Sequence, residues 1–92
     1  MSTVELTRFR AADADALLAA RPAMVADFLA DRAGFIGARL VRLPGGEWLD
    51  IVEWRNEADF AASRSKGANL PGIKTFFDAI DSLVSSETGE LS

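Results

Sequence analysis

Residues 47–56, Glu-Trp-Leu-Asp-Ile-Val-Glu-Trp-Arg-Asn, carry the sharpest hydrophobic and polar pattern in the chain. Side chains of a strand alternate between its two faces. Trp48, Asp50, Val52 and Trp54 therefore share one face, with a carboxylate between two indoles. Such a face either lines a pocket or forms a core holding one paired charge.

The pattern elsewhere predicts the remaining elements. Residues 3–9 read as a strand with Val4 and Leu6 on one face and Glu5 and Thr7 on the other; Phe9 breaks that phase. Asp13 is placed to cap a helix, because its carboxylate can accept from the first free N–H groups. Leu17, Leu18, Met24, Val25, Phe28 and Leu29 form a stripe at helical spacing. Pro22 interrupts the stripe without shifting its phase, which predicts one kinked helix or two nearly coaxial pieces, stopped at Gly34. Residues 35–43 and 48–55 read as a hairpin around Pro44-Gly45-Gly46-Glu47, the glycines permitting the positive φ of a tight turn. With Gly45-Gly46 as a two-residue loop, Val41 faces Asp50, Arg39 faces Val52 and Gly37 faces Trp54. Gly37 then leaves room for the indole, and Arg39 lies diagonally across from Asp50, near enough to pair. Asn56 caps a helix over 57–66, with Asp59 at the capping-box position. A loop over 67–72, a short helix over 73–80 and a last strand over 82–91 complete the chain.

The order strand, helix, strand, strand, helix, strand predicts an α+β fold: a ferredoxin-like split β-α-β unit with one antiparallel four-stranded sheet, in a single domain spanning residues 1–92. Helices then clothe one face. The other face would carry Ile36, Ala38, Leu40, Leu49 and Ile51 on the hairpin, with Arg42, Glu53 and Arg55 as its charges. An apolar face of that size is seldom left in water. The simplest cover is the same face of a second chain, making a homodimer and a barrel-like dimeric core. Of the residues, 49% are hydrophobic, more than a small domain needs for its own core.

Composition narrows the chemistry. The chain has no cysteine and no histidine, so disulfides, thiolate metal sites and imidazole catalysis are excluded. Neither a cofactor nor a metal is expected. Net charge is −4 and the basic residues are scattered among different elements, which argues against nucleic acid. The start lacks a basic leader and an apolar core, and no apolar run reaches the ~20 residues that cross a bilayer. A cytoplasmic location, away from membranes, is expected.

The run Phe35-Ile-Gly-Ala-Arg-Leu, the glycine turn, Trp48-Leu-Asp-Ile-Val-Glu-Trp-Arg and then Phe60 resembles the antibiotic biosynthesis monooxygenase domain. That family forms dimeric α+β barrels, and some members are cofactor-independent monooxygenases that oxidise polycyclic aromatic phenols to quinones. The resemblance implies a catalytic group of an asparagine, a tryptophan four residues on and a tyrosine six beyond. Trp54 stands at the tryptophan position, Asp50 at the asparagine position and Phe60 at the tyrosine position. It thus implies Asp50 and Trp54 as catalytic residues. Arg39, Phe28, Phe60 and Phe76 are the expected substrate-binding residues of a cavity between sheet and helices.

Each of these residues also has a structural reading. Asp50 is a structural partner of Arg39, or a base on a phenol if it stays desolvated and unpaired. Trp54 stacks on a ligand or packs on Gly37; Trp48 is a rim or dimer contact. Asn56 is accounted for as a cap, Phe60, Phe76 and Phe77 as helical core positions, and Lys74 as a solvated cation or an anchor at the cavity mouth. Two functions remain open: a small-molecule-binding dimeric barrel with cofactor-free oxygenase activity on a polycyclic phenol, or a non-catalytic structural or metabolite-binding dimer of the same fold.

Overall fold

A computed structural model describes all residues, Met1 to Ser92. Strand β1 (Ser2–Arg10), helix α1 (Ala14–Asp31), strands β2 (Phe35–Arg42) and β3 (Glu47–Trp54), helices α2 (Glu57–Lys66) and α3 (Pro71–Asp78) and strand β4 (Ser82–Leu91) follow in that order. The strands form one antiparallel sheet in the order β2-β3-β1-β4. This is the ferredoxin-like α+β arrangement predicted by the element order.

Local chemistry accounts for most boundaries. The Asp13 carboxylate accepts from the Ala16 amide at 3.0 Å and opens α1. The helix runs unbroken through Pro22 and closes as the Arg32 amide donates to the Phe28 carbonyl at 2.9 Å. Gly34, at φ 77°, then turns the chain back toward the sheet. Asn56 caps α2 by accepting from the Asp59 amide at 2.8 Å. Helix α3 begins at Pro71, two residues earlier than the apolar spacing predicts. Proline suits the first helical position because its missing N–H is unused there. Gly72 follows, and its amide donates to Asp27 of α1 at 2.8 Å. A Cβ at Gly72 would lie 2.6 Å from the Ala23 carbonyl oxygen, so glycine is what lets α3 approach α1 so closely.

The hairpin register differs from the expected one by a single residue. Leu43 N–H donates to the Glu47 carbonyl at 2.8 Å, so Pro44, Gly45 and Gly46 form a three-residue loop with both glycines at positive φ. Leu40 now pairs with Asp50, Arg39 with Ile51 and Gly37 with Glu53. A one-residue slip exchanges the two faces of a strand. Ala38 and Leu40, expected on the bare face, pack on the core instead, while Arg39 and Val41 point away from it. Gly37 makes no room for Trp54, and nothing would lie within 4 Å of a Cβ there. A bulge at Ile36 then returns Phe35 to the helix side, where it stacks on Phe28 at 5.6 Å.

The core lies between the helices and the β3–β1 centre of the sheet, around Phe9, Leu17, Met24, Trp48, Trp54, Ile73 and Phe76. Strand β1 keeps its alternation to the end: Phe9 is buried on the same face as Thr3, Glu5 and Thr7 rather than out of phase. Leu18 and Leu29 of α1 are exposed, so the buried stripe is narrower than expected: Leu17, Ala20, Met24 and Phe28. The bare face carries Val4 and Leu6 of β1, Leu49 and Ile51 of β3 and Ile36 and Val41 of β2; Ile36 is 53% exposed. No helix is long and apolar enough to cross a membrane.

Candidate functional site

Between the inner face of the sheet and the helices lies a cavity of about 440 Å³. This is in the range of small-molecule sites, ~300–1,000 Å³. Strand β1 supplies Glu5, Thr7 and Phe9, β3 supplies Asp50 and Val52, and β4 supplies Leu83 and Ser86. The roof is Met24, Phe28 and Arg32 of α1 and its cap, Ser63 and Arg64 of α2, and Phe76 and Phe77 of α3. Phe77 and Leu83 are 43% and 67% exposed and mark the mouth.

Asp50 is held by a fork. Arg21 Nη1 donates to Oδ2 and Nη2 to Oδ1, both at 2.7 Å, and each side chain is only 12% exposed. The bidentate geometry matches a planar guanidinium to a carboxylate. The guanidinium also lies 5.0 Å from the Phe76 ring centroid, so α1, β3 and α3 meet at this pair. The expected Arg39–Asp50 pair does not form. Arg39 is exposed on the opposite face because the three-residue turn inverts β2 relative to β3.

A second carboxylate, Glu5, shares the floor with Asp50. Its pairing partner is Val52, which sets it diagonally from Asp50 on the same face. Trp54 Nε1 donates to Glu5 Oε1 at 3.3 Å, and no lysine or arginine forms an ion pair with it. Burial pushes the Glu5 carboxyl above its ordinary range, the indole N–H pulls it down, the Asp50 charge raises it and Arg64 lowers it; the balance is upward.

Arg32 is spent on structure. It donates to Ser63 Oγ at 2.8 Å, Asn69 Oδ1 at 2.8 Å, the Gly67 carbonyl at 2.6 Å and Asp31 at 2.7 Å, which ties the end of α1 to the end of α2. Arg64, by contrast, makes no ion pair and lies with its guanidinium 5.6 Å from the Phe60 ring centroid.

Of the residues singled out in the sequence, Asp50, Phe28 and Phe76 meet at the cavity wall. Trp54 and Phe60 lie behind the wall, centroids 6.3 Å apart, with Trp54 reaching the cavity only through its bond to Glu5. Trp48, expected at a rim, is buried and donates to the Ala11 carbonyl at 3.3 Å. Lys74 pairs with Asp78 at 2.9 Å on an exposed face of α3 and does not line the cavity. Sequence reasoning missed Glu5, Arg21, Arg32 and Arg64. Glu5 had a readable signal: Thr3, Glu5, Thr7 and Phe9 are spaced by two, and a phenylalanine at the end of a polar row marks the row's face as inward. No group of three or more acidic side chains stands close enough to hold a metal ion.

No family model and no curated protein matches the chain. Solved structures do match, at low identity and over nearly the whole length. SnoaB, a cofactor-independent oxygenase from Streptomyces nogalater, superposes with a TM-score of 0.72 at 19% identity, covering 99% of this chain and 93% of that one. A candidate antibiotic biosynthesis monooxygenase from Bordetella bronchiseptica superposes at 0.80 with 11% identity, covering 99% and 97%. A similarly named protein from Chloroflexus aurantiacus superposes at 0.67 with 16% identity, covering 100% and 94%. The chain has the fold of the antibiotic biosynthesis monooxygenase proteins.

Two predictions follow from the charges. Arg21→Ala leaves a buried carboxylate without its cation, which costs ~3–5 kcal/mol, whereas Arg39→Ala changes stability by no more than ~0.5 kcal/mol, as for an ordinary surface site. Chemical denaturation of the two variants side by side measures the contrast; equal effects would place the cation of Asp50 elsewhere. The second concerns pH. Glu5 binds its proton more tightly folded than unfolded, so its contribution to stability is complete below the unfolded carboxyl value and is lost as pH rises through the raised folded value. Glu5→Gln removes that loss. Its melting temperature relative to the native chain rises across this window and is flat outside it; a parallel pH course for both proteins contradicts the assignment.

Proposed function

We propose that this chain forms a two-fold dimer through its bare sheet face, and that each subunit binds a small, flat, phenol-bearing aromatic molecule in the cavity and oxidises it without a cofactor. The observation that carries this reading is Glu5: a half-buried carboxyl that forms no ion pair, on the floor of a cavity whose walls combine Phe9, Met24, Phe28, Val52 and Phe76 with Asp50 and Arg64. Buried carboxyl groups are costly unless paired. One that is partly withdrawn from water and faces a cavity of ligand size is suited to a ligand that brings the missing hydrogen-bond donor.

Aromatic walls suit a flat ring system, and the likeness of fold to SnoaB supports oxygenation as the reaction class. In that reaction a cavity carboxylate takes the phenolic proton. The resulting anion delocalises its charge to the carbon para to the oxygen and is electron-rich enough to react with dioxygen. For an anthrone-type substrate the ring CH₂ becomes a carbonyl with one oxygen atom, and the other leaves as water with the two hydrogens. The chain supplies orientation, a dry wall and a base. A binding-only dimer is the second reading. It is favoured by one observation: the positions that correspond to a polar catalytic group are occupied by Asp50, already neutralised by Arg21, and by Phe60, which has no hydroxyl.

Aerobic incubation with anthrones and naphthols separates the two readings. Growth of quinone absorbance under enzyme-dependent oxygen uptake is expected. Ligand-dependent change in tryptophan fluorescence without quinone would leave the binding-only dimer, and no response in either channel would remove both. The assembly is checked independently by sedimentation at micromolar concentration. The native chain runs as a dimer and Ile51→Lys, which sets a charge in the middle of the bare face, runs as a monomer; a native monomer would overturn the interface.

A further inference from the structure

The cavity floor holds two carboxyl groups in opposite electrostatic states, and we infer that Glu5, not Asp50, is the group that accepts the proton of a bound phenol. The inference rests on the small-molecule reading above and assigns its proton acceptor. The Asp50 oxygens are both engaged by Arg21, at 2.7 Å each. A ligand that approached Asp50 would have to displace a bidentate partner and leave the Arg21 guanidinium unpaired at a largely buried site. Glu5 makes one hydrogen bond, from the Trp54 indole to Oε1. Its other oxygen has no protein partner and is not sealed from solvent, and the residue lines the cavity.

Charged side chains approach Glu5 from several elements. Strand β3 offers Asp50 with its partner Arg21, α2 offers Arg64 and the cap of α1 offers Arg32. Arg21 is consumed by Asp50, and Arg32 by Ser63, Asn69, Gly67 and Asp31. Helix α3 and strand β4 bring Phe76, Phe77, Leu83 and Ser86 to the cavity, none of them charged, and the Glu90 carboxylate of β4, on the same face opposite Thr3, is a like charge outside the cavity. Arg64 is left as the free cation near the cavity, able to steady the charge that moves onto the ligand. The proton transfer is simple: the phenol O–H bond breaks, an O–H bond forms on Glu5, and the negative charge passes from carboxylate to phenolate. Trp54 then has a stated part. Its N–H holds Oε1 and aims Oε2 at the ligand, so it is a positioning residue that never touches the substrate.

The test uses 4-nitro-1-naphthol, a phenol whose anion is coloured, so that proton transfer is read without any oxidation. Just below the pH where the free probe ionises, the native protein is expected to raise the phenolate fraction of the bound probe above that of the free probe. Glu5→Gln, which keeps an acceptor for Trp54, is expected to lower it by about tenfold, equivalent to one pH unit in the probe's ionisation. The neutralised pair Arg21→Gln/Asp50→Asn removes both charges together, avoids a stranded ion and, compared at equal probe occupancy, is expected to lower the phenolate fraction less than Glu5→Gln does; Arg39→Gln, on the opposite face, is expected to leave it unchanged. On an oxidised substrate, Glu5→Gln lowers kcat by ~10²–10⁴-fold, the range for a lost general base, with little change in KM. A phenolate band that survives Glu5→Gln and disappears in the Arg21/Asp50 double variant overturns the assignment while leaving the binding reading intact. A probe that fails to bind the native protein overturns both.

Discussion

The Arg21–Asp50 fork is the contact on which the rest of the site depends. It joins the middle of the long helix to the middle of the central hairpin, and the arginine lies over Phe76 of the last helix. A bidentate pair of this kind is directional. It sets how α1 crosses the sheet, which fixes where Met24 and Phe28 stand, and these form the roof of the cavity. It also decides the chemistry available on the floor. Two carboxylates sit on adjacent strands, the helices deliver one cation with the reach and geometry to pair, and that cation goes to Asp50. Glu5 is left with an indole N–H, a weaker partner that orients it without neutralising it.

That division explains how a fold shared with oxygenases can carry a different set of polar groups. Position 60 holds a phenylalanine packed against Trp54, where the resemblance implies a tyrosine hydroxyl. Position 50 holds a carboxylate where the resemblance implies a carboxamide, and the fork cancels its charge. The carboxyl that forms no ion pair stands one strand over, on β1, and Trp54 meets it through its indole N–H. Fold alone does not carry a reaction. What the cavity can do has to be read from Glu5, Arg64 and the walls between them.

Much of the architecture was legible from short-range chemistry. Asp13, Asn56 and the paired glycines of the turn mark element ends through hydrogen bonds or backbone freedom that involve only near neighbours, and alternation across Trp48–Trp54 names the inward face of β3. The site was less legible because it depends on longer-range matching. Whether the hairpin loop has two residues or three is a choice between turns of similar stability, yet it inverts every β2 side chain. Arg39 was lost from the site by that one residue. Its replacement, Arg21, lies a whole element away from Asp50, and nothing in local spacing connects them. Lys74 and Arg39 look alike in sequence to Arg21 and Arg64; only the packing of α1 and α2 over the sheet separates the cations that reach the cavity from those that do not.

The sheet itself is partly inverted, and this links the cavity to the bare face. On the helix side, β1 and β4 present Thr3, Glu5, Thr7, Ser86 and Thr88, while Val4 and Leu6 of β1 face outward. In an ordinary two-layer domain the helix side of a sheet is its most apolar surface, because it alone is dry. Here the edge of that side is polar where the cavity lies, and apolar side chains fill the outer side of the same strand. The two rows make different demands: the inner hydroxyl and carboxyl groups are satisfied by water or by a ligand that brings polar atoms, whereas the outer apolar row favours contact with another apolar surface. A single sequence alternation thus couples the two parts of the functional reading. The residues that make β1 a good floor for a binding cavity are interleaved with those that make it a good dimer face.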